Sequence, residues 1–305
     1  MGDGSLSRNP GFFIPTCRLM PKFVSIQRLD NFWGFVVPFG TKTQFLSIAA
    51  CLILASSLAR AAPCSDTGGD YETWRPIMAA EARAAGIGER GIDALMATSY
   101  SKATIGADRN QKSFKFSLEK FWSVRGADTI ISQGQSRLKK NPEFYAGLEA
   151  QYGVPAGVII AIHGMETAFG GFMGDTNVIS AVATLTYDCR RSAFFAPHLL
   201  GALALVDKGS ITAETIGAKH GEWGHTQFLP GNALEYGVDG SGDGTINLND
   251  VADALASTAN YLRKKGWKPG KGFQEGEPNF AVIKEWNAAK VYQQAIALMG
   301  AQISG

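Results

Sequence analysis

The chain has 305 residues, with 29 basic against 27 acidic side chains, 45% hydrophobic residues, 36 glycines and four cysteines. That is globular composition: there is no G-X-Y period, no apolar run of the ~18 residues that a membrane-spanning helix needs, and too few cysteines to staple so long a chain. A formal charge of +2 also lacks the basic footprint with which nucleic-acid binders neutralise phosphates, so no nucleic acid is expected as a partner.

The charge is uneven along the chain, +4 over residues 1–62 and −2 over residues 63–305. Residues 45–58 read FLSIAACLILASSL, with Lys42 before them and Ala59-Arg60-Ala61 after them. Basic, apolar and small-residue segments in that order form a secretory signal, which makes residues 1–62 a presequence and predicts export to the periplasm. A retained N-terminal anchor and a helix of the folded domain are the alternatives. Residues 1–40 are longer than an n-region requires, so translation is expected to start further downstream. Ile48-Ala49-Ala50-Cys51 has the form of a lipobox, but little apolar sequence precedes it. Cleavage near Ala61 leaves Cys64 and Cys189, which an oxidising compartment allows to pair; two free thiols are the alternative.

Over residues 71–152, apolar side chains recur at three- and four-residue steps, as in Ile77, Ala80, Ala84 and Ile87, then Phe144, Leu148 and Tyr152. This period predicts several short amphipathic helices, broken at Gly86 and Gly88, at Gly126 and at Asn141-Pro142. A second helical series starts at Pro155 and continues over 180–185, 194–207, 251–265 and 290–299. No long Val/Ile/Thr alternation suggests a large sheet. The fold class is therefore mainly α, with a helical N-terminal lobe over 63–152 and a core over 153–305.

In the helix opened by Pro155, Glu166 shares a face with Ile159, Ile162 and His163. A carboxyl on an apolar face loses water and its pKa rises, as a general acid near neutrality requires. Periodicity alone does not separate this from a helix-end glutamate paired with an arginine or capping a backbone N–H. The helix carries no second Glu-x-x-His element and the chain no HExxH or G-x-S-x-G motif, so metal ligation and a serine nucleophile lack support here. Further on, Asp239, Ser241, Asp243, Thr245, Asn247 and Asp250 occupy positions 1, 3, 5, 7, 9 and 12 of an EF-hand-like loop, with Gly244 at position 6. That spacing suits a structural calcium or sodium ion, weakly held because Asp250 replaces the usual glutamate; a metal-free Asx-turn loop is the alternative.

The segment from Gly153-Val154-Pro155 through Ile162-His163-Gly164-Met165-Glu166-Thr167-Ala168-Phe169-Gly170 resembles the catalytic helix of lytic murein transglycosylases of the membrane-bound transglycosylase B type. The likeness continues in order through Ala183-Thr184-Leu185, Arg190-Arg191, the run from Gly224 to Pro230, Asp239, Ala259-Asn260-Tyr261 and Trp286-Asn287. It spans about residues 70–305. It implies a goose-lysozyme-like catalytic domain that cuts the MurNAc-β-1,4-GlcNAc bond of peptidoglycan glycan strands without water, leaving 1,6-anhydroMurNAc ends. One carboxyl, here Glu166, would act as acid and then as base, with no cofactor needed for the chemistry.

The same resemblance implies substrate-binding roles for Gln227, Tyr261, Asn287 and Tyr292, and for Arg190 and Arg191 toward carboxylates of the strand. It departs from the family pattern at Ala218, often Ser, at His225, often Gln, and at Phe194, often Tyr. A monomer with no stable membrane insertion after signal removal is expected. Glu222 adds a carboxylate near Gln227 that could orient substrate or pair with a base. A hydrolytic muramidase on the same fold and a catalytically silent peptidoglycan-binding protein are the rival readings.

Overall fold

The structure, a computed structural model, describes residues 62–110 and 115–305; the signal at 45–58 lies outside them. Thirteen helices are found among the described residues. The only regular strand pairing there is β1 (Thr176–Asn177) with β2 (Ile216–Gly217), antiparallel and two residues long, in keeping with the absence of β alternation.

Helices α1 (Tyr71–Ala84), α2 (Glu89–Met96) and α3 (Lys102–Arg109) are broken where glycine and capping residues dictate. The Ser101 hydroxyl accepts from Thr104 N at the start of α3, and Gly126, at φ 63°, separates α4 (Leu118–Arg125) from α5 (Ala127–Lys140). Pro142 opens α6 (Pro142–Tyr152) from its first position, where no N–H is needed. The expected helix period is present in α1 but its phase is not. Trp74, Met78 and Ala82 face the core while Ile77 is 42% exposed, because the larger ring of Trp74 takes the interior against Tyr71 and Tyr187.

Two packed groups follow. Helix α8 (Val178–Tyr187) lies on α9 (Ser192–Lys208), which also receives α2 and α10 (Pro230–Tyr236). Helix α7 (Ala156–Thr167) packs against α5 and α13 (Lys290–Ser304), with α11 (Val251–Lys264) bridging α6, α7, α10 and α12 (Phe280–Trp286). Every residue of α7 from Ala156 to Met165 is buried, so the helix is enclosed all round rather than on one face. Glu166 is its only charged residue. Cys64 and Cys189 form a disulfide, flanked by backbone bonds from Ser65 N to Tyr187 O and from Cys189 N to Ser65 O.

The α7–α13 crossing is close because glycines face each other. A Cβ at position 157 would run into the Gly300 carbonyl oxygen, and one at 300 would meet Val158 at 3.0 Å. Overpacking such a contact costs about 1–3 kcal/mol. Gly157→Ala is therefore expected to lower the unfolding free energy in urea by about that amount, despite alanine's better helix propensity.

Candidate active site

Glu166 sits in the last turn of α7 and lines a cleft of about 290 Å³ together with Gln227, Tyr261, Trp286 and Asn287. The helix stops at Thr167 because three successive residues turn left-handed: Ala168 (φ 49°), Phe169 (φ 62°) and Gly170 (φ 85°). Two of these are not glycine, a conformation that costs energy and persists only where neighbours enforce it. Thr167 supplies part of that enforcement, donating from its hydroxyl to His225 O at 2.7 Å and accepting from Gly170 N at 3.0 Å. The stop thus falls one turn earlier than the Gly170-Gly171 pair suggests, and it leaves the Glu166 side chain at the cleft wall.

One carboxyl oxygen, Oε1, accepts from the Tyr292 hydroxyl at 2.5 Å and from Trp286 Nε1–H at 3.1 Å. Burial pushes the carboxyl above the ordinary carboxylate range, the two donors pull it back in part, and the Glu222 charge pushes it up again. Tyr292 is itself driven up by burial and by the Glu166 charge, so its hydroxyl stays a donor. Tyr292, expected as a cleft-lining, substrate-binding position, is not among the residues lining the cleft and donates to the carboxyl. Trp286, the second donor, belonged to a recognised motif but carried no expected role.

Gln227 lies in a turn closed by the Trp223–Phe228 bridge, at φ 55°. Its side-chain amide donates to Gly224 O at 2.7 Å, and the residue lines the cleft. Tyr261 donates to Glu285 O at 2.6 Å and packs edge-on against Trp286. Asn287 accepts from Ala289 N at 3.0 Å, just before α13. Ala218 lines the cleft, but His225 is turned away from substrate space, its Nδ1 3.1 Å from His163 Nε2. Burial, then His225 and Arg137, lower the His163 pKa to about 3, which marks a neutral packing residue.

The arginine pair is only partly in the cleft. Arg190 and Arg191 both bind the buried carboxylate of Asp108 from α3, Arg191 at 3.0 Å. Arg191 lines an adjoining cavity of about 490 Å³ and stacks on Phe194 and Phe195, whereas Arg190 lines neither space. Asp108 carried no sequence signal: its partners lie more than 80 residues away in the chain.

The acidic loop is closed by its own side chains and amides. Among the described residues, no three His, Cys, Asp or Glu side chains are grouped to share an ion. Asp239 accepts from Gly242 N and Gly244 N, Asp243 from Thr245, and Asp250 caps α11 by accepting from Ala252 N and Asp253 N. Ser241 donates to Asp239. The oxygen donors are of the right kind for calcium, and in this structure they accept from the loop's own amides, as in the metal-free Asx-turn alternative. The residue that organises the loop is Asp253, outside the twelve-residue pattern; it is buried and accepts from Gly240 N, Ser241 N and Asn247 N.

Residues 70–276 match the transglycosylase SLT domain family. Over 121 residues the chain is 40% identical to the membrane-bound lytic murein transglycosylase B of Escherichia coli K12, covering 39% of this chain and 34% of that protein. The matched stretch thus spans about a third of that relative's length. The structure is similar to SltB3 from Pseudomonas aeruginosa in complex with NAG-NAM-pentapeptide, with TM-score 0.71 and 29% identity over 78% of this chain and 80% of that one. It also shares its fold with the E. coli lytic transglycosylase Slt35 in complex with calcium, at TM-score 0.64 and 22% identity over 79% and 95% of the two chains.

Two outcomes follow from this geometry. Tyr292→Phe removes a donor that favours the ionised carboxyl, so the descending limb of the pH–rate profile, where Glu166 loses its proton, should move to higher pH. Asp253→Ala strips three backbone amides of their acceptor and should cost about 2–4 kcal/mol in chemical denaturation.

Proposed function

This chain belongs to the transglycosylase SLT domain family, and from that premise we propose that it is a peptidoglycan lytic transglycosylase with Glu166 as its single acid and base. The observation that carries the reading is the one carboxyl of a core helix, opened to a cleft and met only by neutral donors, Tyr292 and Trp286. Such a carboxyl keeps its proton at neutral pH more readily than an exposed one and can still release it.

The reaction proceeds in two proton transfers. Glu166 first gives its proton to the glycosidic oxygen as the bond from C1 of MurNAc to O4 of GlcNAc breaks. The resulting carboxylate then takes the proton of the C6 hydroxyl of the same MurNAc, whose oxygen closes on C1. No water enters, so a 1,6-anhydro end is formed and one carboxyl serves where most glycosidases use two. Tyr292 and Trp286 hold the carboxyl in place and stabilise it between the two transfers.

Gln227, Asn287 and Tyr261 line the cleft, and we assign them to the acetamido and hydroxyl groups and the sugar face. Arg191 is placed to meet a lactyl or peptide carboxylate from the adjoining cavity, and Arg190 to brace it through Asp108. The segment over 63–152 is assigned as the helical lobe and that over 153–305 as the catalytic core. Among the described residues no helix is long and apolar enough to cross a membrane. The signal at 45–58 and the family likeness support a periplasmic protein acting on glycan strands, which we take to be a monomer. Calcium is given no part in the cleavage.

Purified sacculi treated with the protein should release muropeptides with anhydro ends, one water lighter than reducing ends by mass spectrometry. Glu166→Gln should lower the rate at least ~10²-fold. Exclusively reducing ends would mean a muramidase; no release with retained binding would mean a binding protein.

A further inference from the structure

The last turn of α7 is fastened to the opposite side of the cleft through a residue outside the cleft lining. His163 and Thr167, one turn apart, both reach residue 225: His163 Nε2 lies 3.1 Å from His225 Nδ1, and the Thr167 hydroxyl donates to His225 O at 2.7 Å. Glu166 stands between them in sequence and opens to the cleft. His225 precedes Gln227 by two positions, inside a turn closed by the paired Trp223 and Phe228 backbone bonds and by Gln227 N donating to Gly224 O at 3.1 Å. The acid and Gln227, which line the same cleft, are thus joined by a two-point clasp.

The surroundings are shaped to the His225 ring. Gly170 is left-handed at φ 85°, and a Cβ there would come within 2.5 Å of that ring; a Cβ on Gly224, the residue before it, would run into the Leu248 carbonyl oxygen. Phe169 lies edge-on to the His163 ring, and Arg137 covers Phe169. So enclosed, His163 Nδ1 is buried and has no partner among the described residues. A buried N–H without an acceptor is costly, so the proton of His163 sits on Nε2 and points at His225. His225 then accepts at Nδ1 and carries its own proton on Nε2, the nitrogen left to bond the Asn249 backbone. Burial disfavours a charge on both rings; Arg137 adds to this at His163, while Asp250 acts the other way on His225.

We infer that His163 and His225 are positioning residues: their mutual hydrogen bond, together with that of Thr167, sets where the Glu166 carboxyl stands relative to a sugar held on Gln227. The inference rests on the transglycosylase reading above and extends it to two side chains that touch neither the sugar nor the carboxyl. A misplacement of about 1 Å between reacting groups can cost ~10²-fold in rate. The clasp is therefore read in kcat, while Tyr261 and Asn287, on other elements of the cleft, keep their hold on the strand.

The test has two parts. In ¹H–¹⁵N spectra of the imidazole groups near neutral pH, both rings are expected to be neutral with the proton on Nε2. A charged ring, or a proton on Nδ1 of either, would overturn the inference without any assay of activity. In the second part, release of anhydro ends from soluble glycan strands is measured per folded protein, with a melting curve for each variant. His163→Leu and His225→Leu are expected to lower kcat at least tenfold with KM changed less than about threefold. His163→Gln, whose amide can donate where Nε2 does, is expected to recover most of that loss. Thr167→Val, which removes the second bond at nearly constant volume, is expected to lower kcat in the same way and serves if a leucine variant fails to fold. Unchanged kcat in the folded leucine and valine variants, or an equal loss in His163→Gln, would overturn the inference and leave the transglycosylase standing. No anhydro ends from the wild type would overturn the transglycosylase reading and the inference with it.

Discussion

The antiparallel crossing of α7 and α13 is the constraint from which the site follows. At one end Gly157 and Gly300 bring the backbones into contact. At the other, this closeness delivers the Tyr292 hydroxyl to Glu166. An ionised carboxyl in a helix buried all round is costly, and two neutral hydrogen bonds offset only part of that cost. The remainder appears as the raised pKa, which makes the same contact both structural and chemical.

A contrast among carboxylates sharpens the point. Asp108 and Asp188, both buried, are each met by arginine: Arg190 and Arg191 on the first, Arg109 on the second. Those pairs tie α3 to the start of α9 and build the wall beside the cleft. Removing one partner from such a pair strands a charge, so they favour permanence. Glu166 has no guanidinium against it, and neutral donors leave it free to exchange a proton. The protein thus separates carboxylates that hold the scaffold from the one we assign to proton transfer.

Much of this was legible in the chain, unevenly. Three- and four-residue periodicity revealed the helices, and Gly126 and Pro142 their breaks, because these depend on local chemistry. The side of α1 that is buried was misjudged, since large aromatic groups outcompeted Ile77 for the interior. Glu166 was singled out by the face it shares with two isoleucines, an incomplete reason because that face is not special when every face of α7 is covered. Trp286 and Asp108 act across 120 and 82 residues of sequence, beyond the reach of spacing. In the acidic loop, spacing disclosed the oxygens of residues 239–250 but not Asp253, which lies outside the pattern and draws three amides together.

The disulfide has a topological consequence. Joining Cys64 to Cys189 closes a covalent ring around α1 to α8, and so around Glu166, while α13 remains outside it. With 125 residues between its ends, the ring removes about 4–5 kcal/mol of freedom from the unfolded chain by loop-closure reasoning. A protease that cuts one bond within residues 65–188 therefore nicks the ring without releasing a fragment. The wall that carries Arg190 and Arg191 stays attached to α7 by a covalent path even when the chain between them has been severed.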